Sequence, residues 1–446
     1  MRRTTELQQT QLSLSLPIAN QNSPLAYGLG SFGLESLYKV FAGVYMFYYI
    51  DKLGLAIAMA AIINVIYGFW DATDDLLVGF LSDNTRTRWG RRKPWLVAGL
   101  PFFVGTLVLV YAVPGPYRQG YALFWYALVI FILFEAAYTI MSVNYAALFP
   151  ELFRGLRERT RAGSTYQGLS MLGELAGFSI PPFIYANYGF VPMAISFAAV
   201  AGIALFLAIL RNKEDPNALK APPEDLKGAF GEILQDRPFL LFTIVITFLL
   251  FTTSVYTLAT PFWVKYTIGA KPQVTSLIFG IVFIAAILSV SIWGRFVRVQ
   301  GIKRTWLWSI GVMATSAIIL GLASNLFLGA IGAAVAGAGL GGVKVCREMI
   351  MANFVDQNLK RTGQRREGMY YSLLRVIGKL SKILESLALL LLGLLFGYIS
   401  GENPGPQPDN AFRFLISVFP LVFTIIAWVF ASRLSFENKQ SSPQPG

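Results

Sequence analysis

The sequence predicts an all-α membrane protein whose twelve transmembrane helices form two bundles of six. Long apolar stretches recur from Tyr27 to Ser432, and together they hold more apolar side chain than one soluble core can bury. Only 14% of the 446 residues are charged, compared with about a quarter in soluble domains, and the mean hydropathy is +0.56. These values exclude a soluble enzyme, a disordered chain and a secreted disulfide-rich scaffold.

Twelve segments are long enough to cross a bilayer, since a helix needs about 20 apolar residues to span the hydrocarbon core. The predicted spans are 28–50, 53–81, 94–114, 120–148, 165–188, 189–211, 238–262, 273–297, 303–324, 326–352, 368–400 and 411–433.

A polar segment rich in charge and proline separates the first six spans from the last six. The predicted parts are an N-terminal arm (1–26), a first bundle (27–211), a linker (212–237), a second bundle (238–433) and a tail (434–446). The halves repeat each other, because the loop that begins at Gly294-Arg295 has the glycine and basic residues of the loop at Gly90-Arg91-Arg92. Repeated halves are typical of transporters that bind their substrate near the midplane.

The loops on one side of the predicted membrane are rich in Lys and Arg, namely 86–93, 154–161, 211–237, 295–304 and 360–366. The positive-inside rule places these loops and both termini in the cytoplasm, and we expect the plasma membrane, which is the inner membrane of a bacterium. Residues 1–26 contain no recognisable cleavable signal peptide. The net charge of +13 then results from the basic residues of these cytoplasmic loops, and we expect no nucleic-acid partner.

The chain has one cysteine, Cys346, and no histidine. These counts exclude an intramolecular disulfide, a histidine or multi-cysteine metal site, and a Ser-His-Asp triad. No nucleophile–base pair stands out, so we expect neither enzymatic activity nor any cofactor beyond a coupling ion.

Charged residues inside the spans are the strongest functional signal, because a charge at mid-membrane costs about 2.5–3.5 kcal/mol on insertion scales. Span 2 carries Asp71, Asp74 and Asp75, and the i,i+4 pair Asp71 and Asp75 lies on one helical face. Adjacent carboxylates repel each other unless a cation or a proton neutralises them. With the Thr139 hydroxyl nearby, this group suits Na⁺ or a bound proton.

Lys379 in span 11 lies at the same predicted depth as Asp71, about 16 Å from the basic side at 1.5 Å per residue. An ion pair between the two halves is therefore permitted by geometry.

Other charged and aromatic residues in the spans have less certain roles. Glu35 is either paired within its helix with Lys39 or available to a substrate, and Trp70 and Tyr138 are candidates for stacking on a sugar ring. The remaining intramembrane charges are ambiguous between structure and function: Glu135, Glu174, Lys344, Arg347 and Glu348. The glycines that crowd span 10 indicate close helix packing.

The segment from Trp70-Asp71-Ala72-Thr73-Asp74-Asp75 to Gly90-Arg91-Arg92-Lys93-Pro94-Trp95 resembles the glycoside–pentoside–hexuronide:cation symporters of the major facilitator superfamily. The resemblance extends over all twelve spans and implies a major facilitator fold, with two bundles that rock about a central site.

The resemblance also implies roles for individual residues. Asp71, Asp74, Asp75 and Thr139 match the cation site, and Lys379 matches a lysine near that site. Glu35 matches an acid that binds sugar.

The matches in the sugar site are poorer. Ser142 stands where the family has a sugar-binding Asp, Gln167 stands where it has an Arg, and Leu76 replaces a Pro. The residues of the family's cation site are thus present, whereas those of its galactoside-binding site are not. The identity of the substrate therefore stays open between a sugar or glycoside and a lysophospholipid or other amphiphile.

We expect cation-coupled symport, with Na⁺ or H⁺, of a sugar-like solute by a monomer in the bilayer. A non-transporting assembly or receptor protein is the other alternative. A cytoplasmic gate is expected at Asp83, Arg91, Arg92, Glu151, Arg295 and Asp356.

Overall fold

The computed structural model describes residues 22–153, 156–212, 233, 235–362, 367–401 and 403–434. Within these ranges the chain forms fourteen α-helices and no strand longer than a single bridge between Thr87 and Gly90. The helices of the first half are α1 Pro24–Phe47, α2 Ile57–Asn84, α3 Lys93–Tyr111, α4 Gly120–Leu152, α5 Leu156–Ser179, α6 Pro181–Tyr188 and α7 Phe190–Arg211. Those of the second half are α8 Arg237–Tyr266, α9 Gln273–Gln300, α10 Ile302–Leu322, α11 Leu326–Thr362, α12 Glu367–Gly378, α13 Leu380–Phe396 and α14 Pro408–Arg433.

These helices give twelve crossings, because α5 with α6 and α12 with α13 each form one broken span. The predicted all-α fold with twelve spans is confirmed. Among the described residues, eight helices are long and apolar enough to cross a membrane by composition alone: α3, α4, α7, α8, α9, α10, α11 and α14. The other four crossings contain most of the intramembrane charges.

Two predicted spans are broken in the structure, and the helix of the tenth span, predicted at 326–352, extends to Thr362. The fifth begins at Leu156 rather than at 165, because arginine-rich turns extend the helix beyond the apolar segment, and it breaks at Ile180 before Pro181 and Pro182. Proline has no N–H to donate and its ring clashes with the preceding turn. The eleventh span breaks at Lys379, directly after Gly378.

Several predicted parts lie largely outside the described residues. The arm 1–26 is described only from residue 22, the linker 212–237 only at 212, 233 and 235–237, and the tail 434–446 only at Leu434.

The bundle has two chemically distinct ends. We call the end with loop 85–92 and the connections at 301 and 212–236 the basic end. The opposite end, with the connections 48–56, 112–119, 267–272, 323–325 and 397–407, is the far end.

The halves share one hydrophobic core near the far end and have separate cores near the basic end. The first core joins Phe47 of α1 to Phe262 of α8, whose rings lie 5.1 Å apart. The second core is built from residues 233–434, around Phe239, Trp306 and Tyr370. The two bundles are therefore closed against each other at the far end.

The glycines of α11 place this helix in close contact with its neighbours. A Cβ on Gly337 would overlap the carbonyl oxygen of Val282 in α9, and one on Gly339 would lie 2.8 Å from the backbone nitrogen of Met313 in α10. The prediction of close helix packing from these glycines is confirmed.

Candidate functional site

The acids of α2 meet Lys379 at the centre of the bundle. Asp71 and Asp75 are one helical turn apart on α2, and both carboxylates contact the Lys379 ammonium, at 2.7 Å and 2.9 Å. The same ammonium also contacts the Asp71 carbonyl oxygen. Since α2 and Lys379 belong to different halves, this ion pair joins the two bundles near mid-membrane, as the matching depths predict.

Asp74 lies against α4 and forms no ion pair with Lys379 in the described structure. Its side chain is buried, and the Thr139 hydroxyl donates to Oδ2 at 2.9 Å. The other oxygen, Oδ1, is buried and has no hydrogen-bond partner in the part of the chain that the structure describes. The pairing of Asp74 with Thr139 thus leaves one carboxylate oxygen available to a ligand.

A fourth carboxyl, Glu135 of α4, joins this group. It is 1% exposed, it accepts a hydrogen bond from the Tyr67 hydroxyl, and it lies within hydrogen-bonding reach of Asp71. Its role is ambiguous from the sequence, because the apolar run around Glu135 does not indicate which face of α4 meets α2.

These residues form what we call the acid cluster, in which two of the four carboxyls contact the ammonium: Asp71, Asp74, Asp75 and Glu135 with Lys379. In the state described here, no three acids within the described ranges are placed to hold one metal ion together. With every acid ionised the cluster has excess negative charge in a low-dielectric interior, and a bound monovalent cation or proton relieves that charge.

A second charged group, which we call the charged row, extends from α1 through α5 to α11. Lys39 lies 3.4 Å from Glu35 and 3.8 Å from Glu174, and Glu174 accepts a hydrogen bond from Lys344 at 2.7 Å. Lys344 belongs to the second half, so this row also joins the bundles. All four side chains are partly exposed, between 18% and 32%, and can be reached by a solute.

The other predicted substrate residues lie at varied positions around this row. Tyr138 stacks on Tyr38 with ring centroids 4.1 Å apart, and Ser142 donates to the Thr139 carbonyl at 3.5 Å. Gln167 is exposed on α5. Trp70 is half-buried, and its indole Nε1–H has no acceptor among the described residues.

Lys382 has its own partner, Glu385, one turn along α13 at 3.1 Å. Glu385 is 2% exposed. This pair is formed within one helix, and the Lys382 side chain packs against Gly68 of α2.

An ion pair that no sequence pattern predicts closes the far end. Asp51 follows α1 in a π-helical turn, and its side chain is fully buried. It accepts hydrogen bonds from Lys265, at 2.6 and 2.8 Å, and from Tyr266 at 2.5 Å, both at the end of α8. Beside it the Gly401 amide donates to the Ile50 carbonyl at 3.0 Å. These contacts form a polar lock between the halves.

The predicted gate residues at the basic end form pairs inside the first half. Arg91 contacts Glu151 at 2.7 Å, and Arg92 contacts both Asp83 and Ser82. Of the two gate candidates in the second half, Arg295 is exposed on α9 and Asp356 is exposed on α11.

Comparison with known families gives one match over most of the chain. The family model described as MFS/sugar transport protein matches residues 26–438.

Among curated proteins, the chain is 24% identical over 420 residues to the glucuronide carrier protein homolog of Escherichia coli K12, covering 91% of this chain and 90% of that protein. It is 23% identical over 412 residues to the isoprimeverose transporter of Lactiplantibacillus pentosus, covering 89% and 85%. An uncharacterized symporter of Synechocystis, sll1374, is 30% identical over 214 residues, which cover 45% of this chain and 39% of that protein.

Among solved structures, the crystal structure of the nucleoside transporter NupG superposes with a TM-score of 0.67 at 15% identity. The superposition covers 93% of this chain and 99% of NupG. At this identity the likeness concerns the fold.

Proposed function

Because the chain belongs to the MFS/sugar transport protein family, we propose that it moves a sugar or glycoside across the membrane together with Na⁺ or H⁺. As a multi-pass membrane protein of a transporter family, it would work by alternating access between its two bundles. The positive-inside rule supports a cytoplasmic basic end, in which case the closed far end faces outward. Each chain carries both charged groups, which supports function as a monomer.

The observation that carries the proposal is the acid cluster. The cluster groups four carboxyls of the first half, two of which contact the Lys379 ammonium of the second half, and one oxygen of Asp74 has no partner among the described residues. A static ion pair needs one acid for one base. The excess of acid is what a site requires if it exchanges a bound cation during its cycle.

In the proposed cycle Lys379 occupies the place of the cation in the state described here. An incoming cation binds Asp71, Asp75 and the free oxygen of Asp74, and the Lys379 ammonium moves away. This movement changes the contact between α2 and α13, and hence between the halves. Coupling requires only that cation and solute bind better together, and this effect is reciprocal.

The charged row supports a hydroxyl-rich solute over a lipid. Glu35 and Glu174 accept hydrogen bonds, and Lys39 and Lys344 donate them, so a sugar ring could be held by both halves at once. Insertion of an acyl chain here would desolvate these charges without replacing their hydrogen bonds, which is unfavourable.

The test is uptake into sealed vesicles that contain the purified protein, with an imposed Na⁺ or proton gradient and labelled xylosides and glucuronides as solutes. We expect accumulation to follow one of the two gradients. In Asp71→Asn the gradient-driven accumulation should fall by more than about tenfold, because a ligand of the cation is removed.

Asp236→Asn provides the matched control. Asp236 caps the start of α8, where its side chain accepts from the Phe239 amide at 3.3 Å, and asparagine caps a helix equally well. Uptake that ignores every ion gradient, or that survives unchanged in Asp71→Asn, contradicts the proposal.

A further inference from the structure

A second lysine of the eleventh span, Lys382, lies one helical turn from the acid cluster, on its far-end side. Three close approaches set the register between α2 and this span: Asp71 to Lys379, Gly68 to Lys382, and Ile57 to Gly393. The helices are antiparallel and the steps between these contacts are equal on both, so one register holds over the whole crossing. Lys382 therefore lies beside α2 three residues from Asp71, or about 4.5 Å along the helix axis.

The glycine at position 68 lets the stem of Lys382 lie directly on the α2 backbone. A Cβ on Gly68 would be 3.2 Å from the Lys382 Cβ. The lysine side chain is a flexible four-carbon stem that ends in a compact charge, so from this position the ammonium can reach along α2 toward Asp71 as well as along its own helix. An electrostatic interaction between Lys382 and Asp71 is already present in the state described here.

Glu385 holds the ammonium away from the acid cluster. Its carboxylate lies 3.1 Å from the Lys382 ammonium, three residues further along the span toward the far end. The Glu385 side chain is buried, and the described residues give it no hydrogen-bond partner besides Lys382. A carboxylate in an apolar interior needs an opposite charge or hydrogen-bond donors, so this pair keeps the ammonium on the far-end side of Gly68.

An amide of α2 is placed to take over Glu385 if Lys382 moves away. The same register puts Asn64 opposite Ser386, directly beside Glu385. Asn64 is fully buried, and its Oδ1 accepts from the Tyr45 hydroxyl at 2.8 Å, whereas its Nδ2 has no acceptor within the described chain. Buried donors normally have a partner. The Glu385 carboxylate would therefore find a donor without its lysine.

The charges around Lys382 favour its transfer to the acid cluster once it is released. The cluster has four carboxyls for one ammonium, so a second ammonium at Asp71 still leaves an excess of acid. On the side of α1, Lys382 faces Tyr45 and also Lys39 of the charged row, which repels it. A tethered group competes at a high effective concentration, so a released Lys382 would compete strongly with a free cation.

We propose that Glu385 is a positioning residue of the ion site, because it withholds the Lys382 ammonium from Asp71, where that ammonium would compete with the coupling ion. The inference rests on the proposed function, since it takes the acid cluster as the ion site. It adds a determinant of ion affinity that lies outside the cluster and acts through a second lysine.

The test measures uptake of labelled xylosides and glucuronides into sealed vesicles, over a series of Na⁺ concentrations at fixed pH and over a series of proton gradients without Na⁺. In Glu385→Gln the ion concentration that gives half-maximal uptake should rise by about tenfold or more, because the released Lys382 competes for Asp71. The rate at saturating ion should change much less. Adding Lys382→Gln to this variant should bring the value back to within about threefold of the unmodified protein, because the competing ammonium is gone.

A second variant covers the case in which Glu385→Gln fails to fold. Glu385→Asp keeps the charge but holds the ammonium less well, because its side chain is one methylene shorter, and the half-maximal ion concentration should again rise, by a smaller factor. Asp409→Asn is the control, because it also removes the acid of an ion pair within one helix, with Arg413 at 3.4 Å. This control should leave the ion dependence unchanged.

An unchanged half-maximal ion concentration in Glu385→Gln, or in Glu385→Asp if the former cannot be purified, would overturn the inference and leave the proposed function standing. The same holds if the rise in Glu385→Gln persists when Lys382→Gln is added, since Glu385 would then act without Lys382. Uptake by the unmodified protein that ignores every ion gradient would overturn the proposed function and the inference together.

Discussion

At mid-membrane, Lys379 contacts Asp71 and Asp75 at once, while Asp74 and Glu135 rely on the hydroxyls of Thr139 and Tyr67. The cluster thus divides its acids between two kinds of partner. A lysine can move away and leave two acids free for a cation, whereas a hydroxyl orients an acid without neutralising it. Individual hydroxyl groups should therefore affect ion affinity and stability in separable ways.

The Thr139 hydroxyl should tune the affinity for the coupling ion. In Thr139→Val the side chain keeps its shape but no longer orients Asp74, so the ion concentration that gives half-maximal uptake should rise by about tenfold or more. Thr139→Ser keeps the hydroxyl and should stay close to the unmodified value. An unchanged ion dependence in Thr139→Val would remove Asp74 from the cation site.

The Tyr67 hydroxyl should contribute mainly to stability. In Tyr67→Phe the Glu135 carboxyl stays buried and loses its donor, which costs about 1–3 kcal/mol and should lower the melting temperature of the purified protein. Tyr126→Phe is the matched control, since the Tyr126 hydroxyl donates to the Leu109 carbonyl at 2.7 Å in an exposed position. Equal shifts for the two variants would contradict this role.

At the scale of helices, α11 is held between α9 and α10 by glycines whose missing side chains let backbones touch. Without a strong hydrophobic force between helices in lipid, such close packing is a main source of attraction.

Gly337→Ala should separate α9 from α11, because the added methyl overlaps the Val282 carbonyl. We expect a lower melting temperature and reduced uptake. Gly311→Ala, in α10, meets no atom within 4 Å and should be neutral or slightly stabilising, since alanine favours helix by about 1 kcal/mol over glycine. A melting temperature that is unchanged in Gly337→Ala would show that this contact is dispensable.

At the scale of the whole molecule, the two bundles touch through a shared core and a polar lock at the far end. The Asp51–Lys265 pair lies in the path that must open if a solute enters from that side. Removing one partner of a buried ion pair costs about 3–5 kcal/mol. The equilibrium between the conformation open at the far end and the conformation open at the basic end should therefore depend on Asp51.

Asp51→Asn should increase opening of the far end. With Cys346→Ser as background and Phe47→Cys as reporter, an impermeant maleimide added on the far side should react at least about tenfold faster once the lock is weakened. Asp409→Asn is the control, because Asp409 pairs with Arg413 in its own helix at 3.4 Å. Equal labelling rates with and without Asp51 would show that the shared core alone closes this end.

The pairing of Lys379 with Asp71 and Asp75 could be predicted because helix period and membrane depth depend on sequence position alone. The positions of Glu135 and Glu174 could not be predicted, since an apolar helix that is buried on several sides does not reveal which face meets which neighbour. The gate candidates Arg91 and Arg92 contact Glu151 and Asp83 of their own half; the 85–92 loop brings Arg92 back to Asp83, whereas the contact of Arg91 with Glu151 depends on how α4 packs.

Local composition sets the length of each apolar segment, the side on which the basic loops lie and the repeat of six spans. The sequence by itself therefore determined the twelve-helix fold and the placement of the acids within the second span. Only the tertiary structure decided that Glu174 pairs with Lys344 of the other half and that Asp51 closes the far end with Lys265. Each of these contacts depends on how the two bundles lie against each other, and no local sequence pattern encodes that arrangement.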